Sequence, residues 1–196
     1  MMVLFVFFFN YGFYFINEEG VFLNKKPFLY AERFDEGFAL VEVADSEYNL
    51  LKMDGSLFCK ENFAYVGKFN NGFAVVKNFD NKYNYIDKEG NFLSNEWFDL
   101  CISFLEEVGL VRKNGLWNII NRNGKIVSDV SFSDYEYSKN SIKYIELIDT
   151  NNNKFILYNN GLLINLETNE KTQLQVESRT NFIKKIIREE LKRYIR

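Results

Sequence analysis

Five glycines spaced 35, 35, 34 and 37 residues apart constrain this chain more than any other feature: Gly20, Gly55, Gly90, Gly124 and Gly161. Each closes a polar turn, as in Asn17-Glu18-Glu19-Gly20, Lys52-Met53-Asp54-Gly55, Asp87-Lys88-Glu89-Gly90, Asn121-Arg122-Asn123-Gly124 and Tyr158-Asn159-Asn160-Gly161. Other positions keep step. Phe28, Phe63, Phe98 and Phe132 recur at 35, 35 and 34 residues, and Phe34, Phe69 and Phe104 at 35 and 35. The stretch Phe34-Asp35-Glu36-Gly37-Phe38-Ala39-Leu40-Val41 is nearly copied in Phe69-Asn70-Asn71-Gly72-Phe73-Ala74-Val75-Val76. Independent positions that agree on one period mark a repeat architecture, in which a single unit cannot bury its apolar face and neighbouring units stack.

Each unit reads as three short antiparallel strands. In the second unit these are Phe38–Val43, Tyr48–Met53 and Ser56–Cys59, with turns at Ala44–Glu47 and Asp54-Gly55. The Asn114-Gly115 pair is a two-residue hairpin signal, because both residues accept positive φ. An aromatic segment, Phe63 to Phe69 in this unit, leads into the next. With 21 Phe, 12 Tyr and a single proline, Pro27, the composition suits strands joined by tight turns. The expected fold is all-β: five three-stranded meander units at about 1–35, 36–70, 71–105, 106–140 and 141–176, forming one domain.

Seven residues before each of the first four turn glycines stands an aromatic: Phe13, Tyr48, Tyr83 and Trp117. Asn follows it in Tyr48-Asn49, Tyr83-Asn84 and Trp117-Asn118. Together with Gly115-Leu116-Trp117-Asn118-Ile119-Ile120-Asn121-Arg122-Asn123-Gly124-Lys125, this frame resembles the WG (KWG) repeat of bacterial proteins over residues 1–165. The Gly of the Trp-Gly pair is mostly Asn here, and Asn is expected to keep the left-handed backbone that glycine would allow. The resemblance implies a β-rich scaffold and names no shared activity. Three strands in about 35 residues favour an open, twisted array. A closed five-bladed ring, like a propeller, is the alternative, although propeller blades usually have four strands and about 40–45 residues.

The two chain ends differ from the repeats. Met1 to Phe9 is apolar but too short to cross a membrane as a helix, and it lacks a signal-peptide pattern, so it reads as a buried strand. From Asn181 the apolar period changes from 2 to 3.6, placing Phe182, Ile183, Ile186, Ile187, Leu191, Tyr194 and Ile195 on one face. Residues 177–196 therefore read as an amphipathic helix carrying +4, whereas the rest of the chain carries −7. Three readings stand for this helix. It caps the last repeat, it pairs with a second copy to form a homodimer, or it lies on a membrane surface or partner groove through Lys184, Lys185, Arg188, Lys192 and Arg193.

The sequence excludes much chemistry. Without histidine there are no Ser-His or Cys-His nucleophile pairs, and the usual zinc sets are missing. Cys59 and Cys101 occupy different positions in their units and read as free thiols, with a disulfide as the alternative. The carboxylates gather at turns. Asp149-Thr150-Asn151-Asn152-Asn153 begins like a calcium loop but has Lys154 where that loop needs Gly, so it reads as a hairpin turn. No catalytic, metal or cofactor site is expected. Aromatics at fixed repeat positions read as core, which leaves Trp97, Tyr135 and Tyr137 as candidate surface aromatics beside the five basic residues. The expected function is a non-enzymatic protein-binding scaffold in the cytoplasm, of the kind that regulates or inhibits a larger machine. A carbohydrate or cell-envelope binding module is the alternative. An acidic body disfavours nucleic acid, for which only the basic helix is suited.

Overall fold

The structure, a computed structural model, describes residues 5–9, 11–138 and 144–175. The expected helix at 177–196 lies outside the described residues. All regular structure within them is antiparallel β. The chain divides into two compact units, Met1–Phe92 and Leu93–Arg196.

In the first unit, β1 (Phe5–Phe9) and β2 (Gly12–Ile16) form a hairpin around Tyr11. Two three-stranded sheets follow: β3 (Tyr30–Ala31), β4 (Phe38–Ala44) and β5 (Glu47–Lys52), then β6 (Tyr65–Val66), β7 (Phe73–Lys77) and β8 (Tyr83–Asp87). Corresponding strands start 35 or 36 residues apart, so the sequence period is a structural period. The strands β4 and β5 match the sequence reading to within one residue. Buried Phe15, Phe28, Ala39, Val41 and Leu51 form the core of the first sheets.

The third strand of each unit is not where the sequence pattern put it. Ser56–Cys59 is not a strand; it makes a single bridge, Leu51 to Leu57. Asp54 turns the chain by accepting the Ser56 N–H at 2.9 Å and its hydroxyl at 2.6 Å. The third strand is instead the aromatic connector. Phe28 pairs back with Phe13 while Tyr30-Ala31 pair forward with Glu42 and Val41. Thirty-five residues on, Phe63 pairs back with Tyr48 while Tyr65-Val66 pair forward with Lys77 and Val76. Each connector thus belongs to two successive hairpins.

The asparagine that follows the repeat aromatic also departs from expectation. Asn49 and Asn84 are strand residues without positive φ, and both are buried. The reason is hydrogen bonding. The loop after Leu57 has no strand partner, so its backbone groups need one. The Asn49 amide donates to the carbonyls of Cys59 at 3.0 Å and Glu61 at 3.1 Å, and its carbonyl accepts the Cys59 N–H at 3.2 Å. In the first repeat, where Tyr14 follows the aromatic, Asn24 reaches the other way: it accepts the Phe15 N–H at 2.8 Å and donates to the Lys26 carbonyl at 2.7 Å.

The turn glycines do more than turn. At Gly55 (φ +82) a Cβ would stand 2.8 Å from the Leu23 carbonyl oxygen of the preceding repeat, and at Gly124 it would overlap the Leu93 carbonyl. Gly90 faces Phe58 at 3.8 Å. Leu23, Phe58 and Leu93 are the same repeat position, so each corner rests on the corner before it. A Cβ at Gly20 would meet nothing within 4 Å.

The second unit is one eight-stranded sheet in chain order: β9 (Leu100–Cys101), β10 (Val108–Lys113), β11 (Leu116–Asn121), β12 (Phe132–Tyr137), β13 (Tyr144–Asp149), β14 (Lys154–Tyr158), β15 (Leu162–Asn165) and β16 (Lys171–Gln173). The sheet curls over on itself. The Glu107 N–H, before β10, donates to the Asn159 carbonyl at the β14–β15 turn (3.0 Å), and the Asn121 amide donates to the Gln175 carbonyl beyond β16 (2.9 Å). Leu110, Trp117, Phe132, Leu147, Leu157 and Leu174 meet inside. Asp149–Asn153 is a hairpin turn, as read from sequence, with Asp149 accepting the Asn151 and Asn153 N–H groups at 2.8 Å.

The Asn49 amide serves a loop that has left the strand ladder. Replacing it with alanine leaves part-buried backbone groups of Cys59 and Glu61 unpaired, at ~1–3 kcal/mol for each. The expected loss in a urea unfolding measurement on Asn49→Ala is about 3 kcal/mol; a loss below about 1 kcal/mol contradicts this role.

Candidate interaction surface

Recurrence in the repeat does not always mean burial. Phe28, Phe63, Phe98 and Phe132 are buried, as the pattern requires. The bridge residues Phe22, Leu57 and Phe92, also 35 residues apart, are 52%, 37% and 43% exposed. Ile126 holds the same position in the second unit and is likewise exposed. The first residue of the connector strand repeats the behaviour, with Tyr30 and Tyr65 both exposed. Isolated exposed apolar residues are ordinary. Exposed apolar residues that recur at one register position are not, because every repeat then presents one. Leu23, beside Phe22, touches Gly55, two residues before Leu57; Phe58, beside Leu57, faces Gly90, two residues before Phe92. Successive corners of the first unit, each carrying one of these residues, therefore touch.

A cleft of 210 Å³ opens between the β3–β5 sheet and the connector strand β6, with Glu32, Glu36, Phe38, Tyr65, Lys68 and Phe69 in its lining. Phe38, Phe58 and Phe69 pack together there, with ring centroids 4.9–6.1 Å apart. Ion pairs tie neighbouring segments here: Lys88 to Glu36 at 2.9 Å and Lys68 to Glu32 at 3.9 Å. Both pairs are solvent-exposed and worth little to stability.

The three aromatics singled out from sequence fall into two places. Tyr135 and Tyr137 lie on β12, and a β-bulge between Phe132 and Asp134 re-phases that strand. The bulge puts Tyr135 and Tyr137 on the face of Phe132, opposite buried Leu147 and Ile145. They extend an edge-to-face ladder: Trp117 to Tyr135 at 4.7 Å and Tyr135 to Tyr137 at 5.6 Å, with the Arg112 guanidinium 6.0 Å from the Trp117 ring. Tyr135 is half-buried and Tyr137 exposed; burial pushes both phenols up, helped by Asp134 at Tyr135 and by Tyr135 at Tyr137. Trp97 is half-buried in the loop before β9, apart from that ladder in the chain. Lys184, Lys185, Arg188, Lys192 and Arg193 lie outside the described residues.

Reactive groups are quiet. Both cysteines are free. Burial pushes the Cys59 thiol up to about 11, with the Glu61 charge adding to it, and raises the buried Cys101 thiol as well. Among the described residues no group of three or more His, Cys, Asp or Glu side chains is arranged to hold a metal ion, and no helix is long and apolar enough to cross a membrane.

No family model and no curated protein matches the chain. Among solved structures it is similar to BamB from Moraxella catarrhalis, with 13% identity, 87% of this chain and 58% of that chain covered, and a TM-score of 0.41. For the WD40 beta propeller domain of Doa1 the values are 10%, 88%, 64% and 0.35, and for the computationally designed Ika4 protein 11%, 64%, 87% and 0.39. The chain thus spans less than two thirds of the first two of these proteins. Likeness at this level transfers neither fold details nor function.

The thiol at Cys59 gives a pH signature. With its proton held until about 11, its alkylation rate rises about tenfold per pH unit between pH 7 and 10. A plateau above pH 8.5 in a mass-resolved iodoacetamide time course contradicts the burial described for it.

Proposed function

We propose that this protein is a non-enzymatic protein-binding scaffold built from WG-like repeats stacked as an open array of five units. The observation that carries the reading is the exposed row Phe22, Leu57 and Phe92, with Tyr30 and Tyr65 at a second recurring position. Repeat stacks present extended surfaces in which each unit adds one copy of the same contact. Three apolar side chains about one repeat apart offer a partner several small anchors rather than one deep pocket, and aromatic anchors dominate protein interfaces energetically. The sequence carries no histidine, and its thiols are held protonated. Both points favour recognition over nucleophilic chemistry. The cytoplasm and a role as regulator or inhibitor of a larger machine belong to the same proposal.

The test compares the wild-type chain with a Phe22→Ser, Leu57→Ser, Phe92→Ser variant in quantitative affinity capture. Circular dichroism first establishes that the variant folds. A stoichiometric protein partner recovered by the wild type should be depleted at least about tenfold in the variant, and retained by a Tyr11→Ser control. Retention by the row variant, or capture of no stoichiometric protein by the wild type, overturns the proposal.

A further inference from the structure

The cleft beside β6 lies where the repeat departs from its own pattern. Thirty-five residues before Leu50 stands Phe15, and thirty-five after it stands Tyr85. Both aromatics are fully buried. The Phe15 ring centroid lies 5.2 Å from that of Phe34 and 6.1 Å from that of Phe28, and the Tyr85 ring faces Phe73 at 6.4 Å. The second repeat has leucine at this position, and Leu50 lines the cleft. Phe69, the counterpart of Phe34, therefore meets no ring from that strand position. It packs instead against Phe38 at 5.0 Å and Phe58 at 6.1 Å.

A second position departs at the same place. Where the neighbouring connectors have Glu32 and Ile102, this one has Gly67, which also lines the cleft. Backbone conformation does not ask for glycine there, since Gly67 lacks the positive φ of the turn glycines. A Cβ at Gly67 would stand 3.3 Å from the Tyr65 hydroxyl oxygen. One repeat earlier the equivalent hydroxyl, that of Tyr30, donates to Glu32 at 3.4 Å. Gly67 offers Tyr65 no such acceptor. Two small residues in place of larger ones thus border one opening. Protein interiors are ordinarily filled, and a gap forfeits packing contacts. An opening kept by two departures at once points to an occupant from outside the chain.

The lining defines that occupant. The 210 Å³ of the cleft exceeds the roughly 150 Å³ of an apolar cavity that holds benzene. Phe38, Leu40, Val66 and Phe69 supply apolar walls. Charge at the rim is balanced: Glu32, Asp35 and Glu36 stand against Arg33, Lys68 and the Lys88 that pairs with Glu36. Such a rim selects neither an anion nor a cation. A neutral ring fits, and the repeat itself places a phenyl or phenol ring at the equivalent position on either side. We propose that the cleft receives one phenylalanine or tyrosine side chain of a protein partner, in the place that Phe15 fills from within the chain one repeat earlier. This rests on the protein-binding reading and adds to it a single pocketed anchor, the arrangement that concentrates binding energy in interfaces.

The test uses the full-length chain and two probes, p-cresol and the capped tripeptide acetyl-Gly-Tyr-Gly-amide, followed by the NMR methyl signals of Leu40 and Val66. Leu50→Phe restores the residue of the first repeat and fills the cleft. Gly67→Glu restores the residue of the preceding connector and fills it independently, so the test survives if one variant fails to fold. Both probes should shift both sets of methyl signals in the wild type and in a Leu57→Ser control. In either filled variant they should bind at least about tenfold more weakly. No shift in the wild type, or equal binding by the filled variants, overturns the proposal. Binding of p-cresol without the tripeptide would assign the cleft to a free small aromatic and overturn the partner side chain as its occupant. In affinity capture, a protein partner lost by the Phe22, Leu57 and Phe92 variant but retained by Leu50→Phe would overturn this inference and leave the scaffold reading standing.

Discussion

The stacking of one repeat on the next depends on a backbone contact that only glycine permits. At Gly55 and Gly124 the turn sits so close to the preceding corner that a methyl group would collide with a carbonyl oxygen. The same residues hold φ near +80, so conformation and contact select the same side chain. The consequences spread outward. Close corners set the separation of successive hairpins, and each corner carries one of the exposed side chains at positions 22, 57 and 92. The connector strands then have the right span to pair backward through Phe28 or Phe63 and forward two residues later.

A second economy follows from packing the corners so tightly. The chain after the Gly55 corner leaves the ladder after a single bridge, Leu51 to Leu57, although β5 continues back to Glu47. A buried asparagine amide replaces the missing ladder, presenting donors and an acceptor to backbone groups that would otherwise lie unpaired. Asn49 does this from within β5, and Asn24 does it in the first repeat from the loop itself. The requirement recurs with the repeat, but the residue that meets it can come from either side.

Much of this was legible before any coordinates. The period, the hairpin strands, the turn at Asp149–Asn153 and the buried phenylalanines all follow from residue type and spacing. What escaped notice shares one cause: it depends on which face a residue takes or on what its side chain reaches. Asn49 looks like a substitute for a flexible glycine, yet its side chain is the point and its backbone is ordinary strand. Phe22, Leu57 and Phe92 repeat as regularly as the core phenylalanines, and periodicity alone cannot separate an inward from an outward position. Tyr135 and Tyr137 fall out of register with Phe132 by count, and only the bulge after Phe132 returns them to its face. Trp97, chosen on the same grounds, did not join them.

The corner contact can be separated from the turn itself, because Gly20 turns with φ +75 and touches nothing while Gly55 turns with φ +82 against Leu23. Alanine at either position bears the left-handed penalty of ~1–2 kcal/mol. Only at Gly55 does it also push a repeat off its neighbour, at a further ~1–3 kcal/mol. Equilibrium unfolding of Gly20→Ala and Gly55→Ala measures the difference directly. The account predicts that Gly55→Ala loses at least about 1 kcal/mol more than Gly20→Ala, with the exposed row disrupted as well. Equal losses at the two positions would show that the glycines serve the turns alone, and that the repeats are spaced by something else.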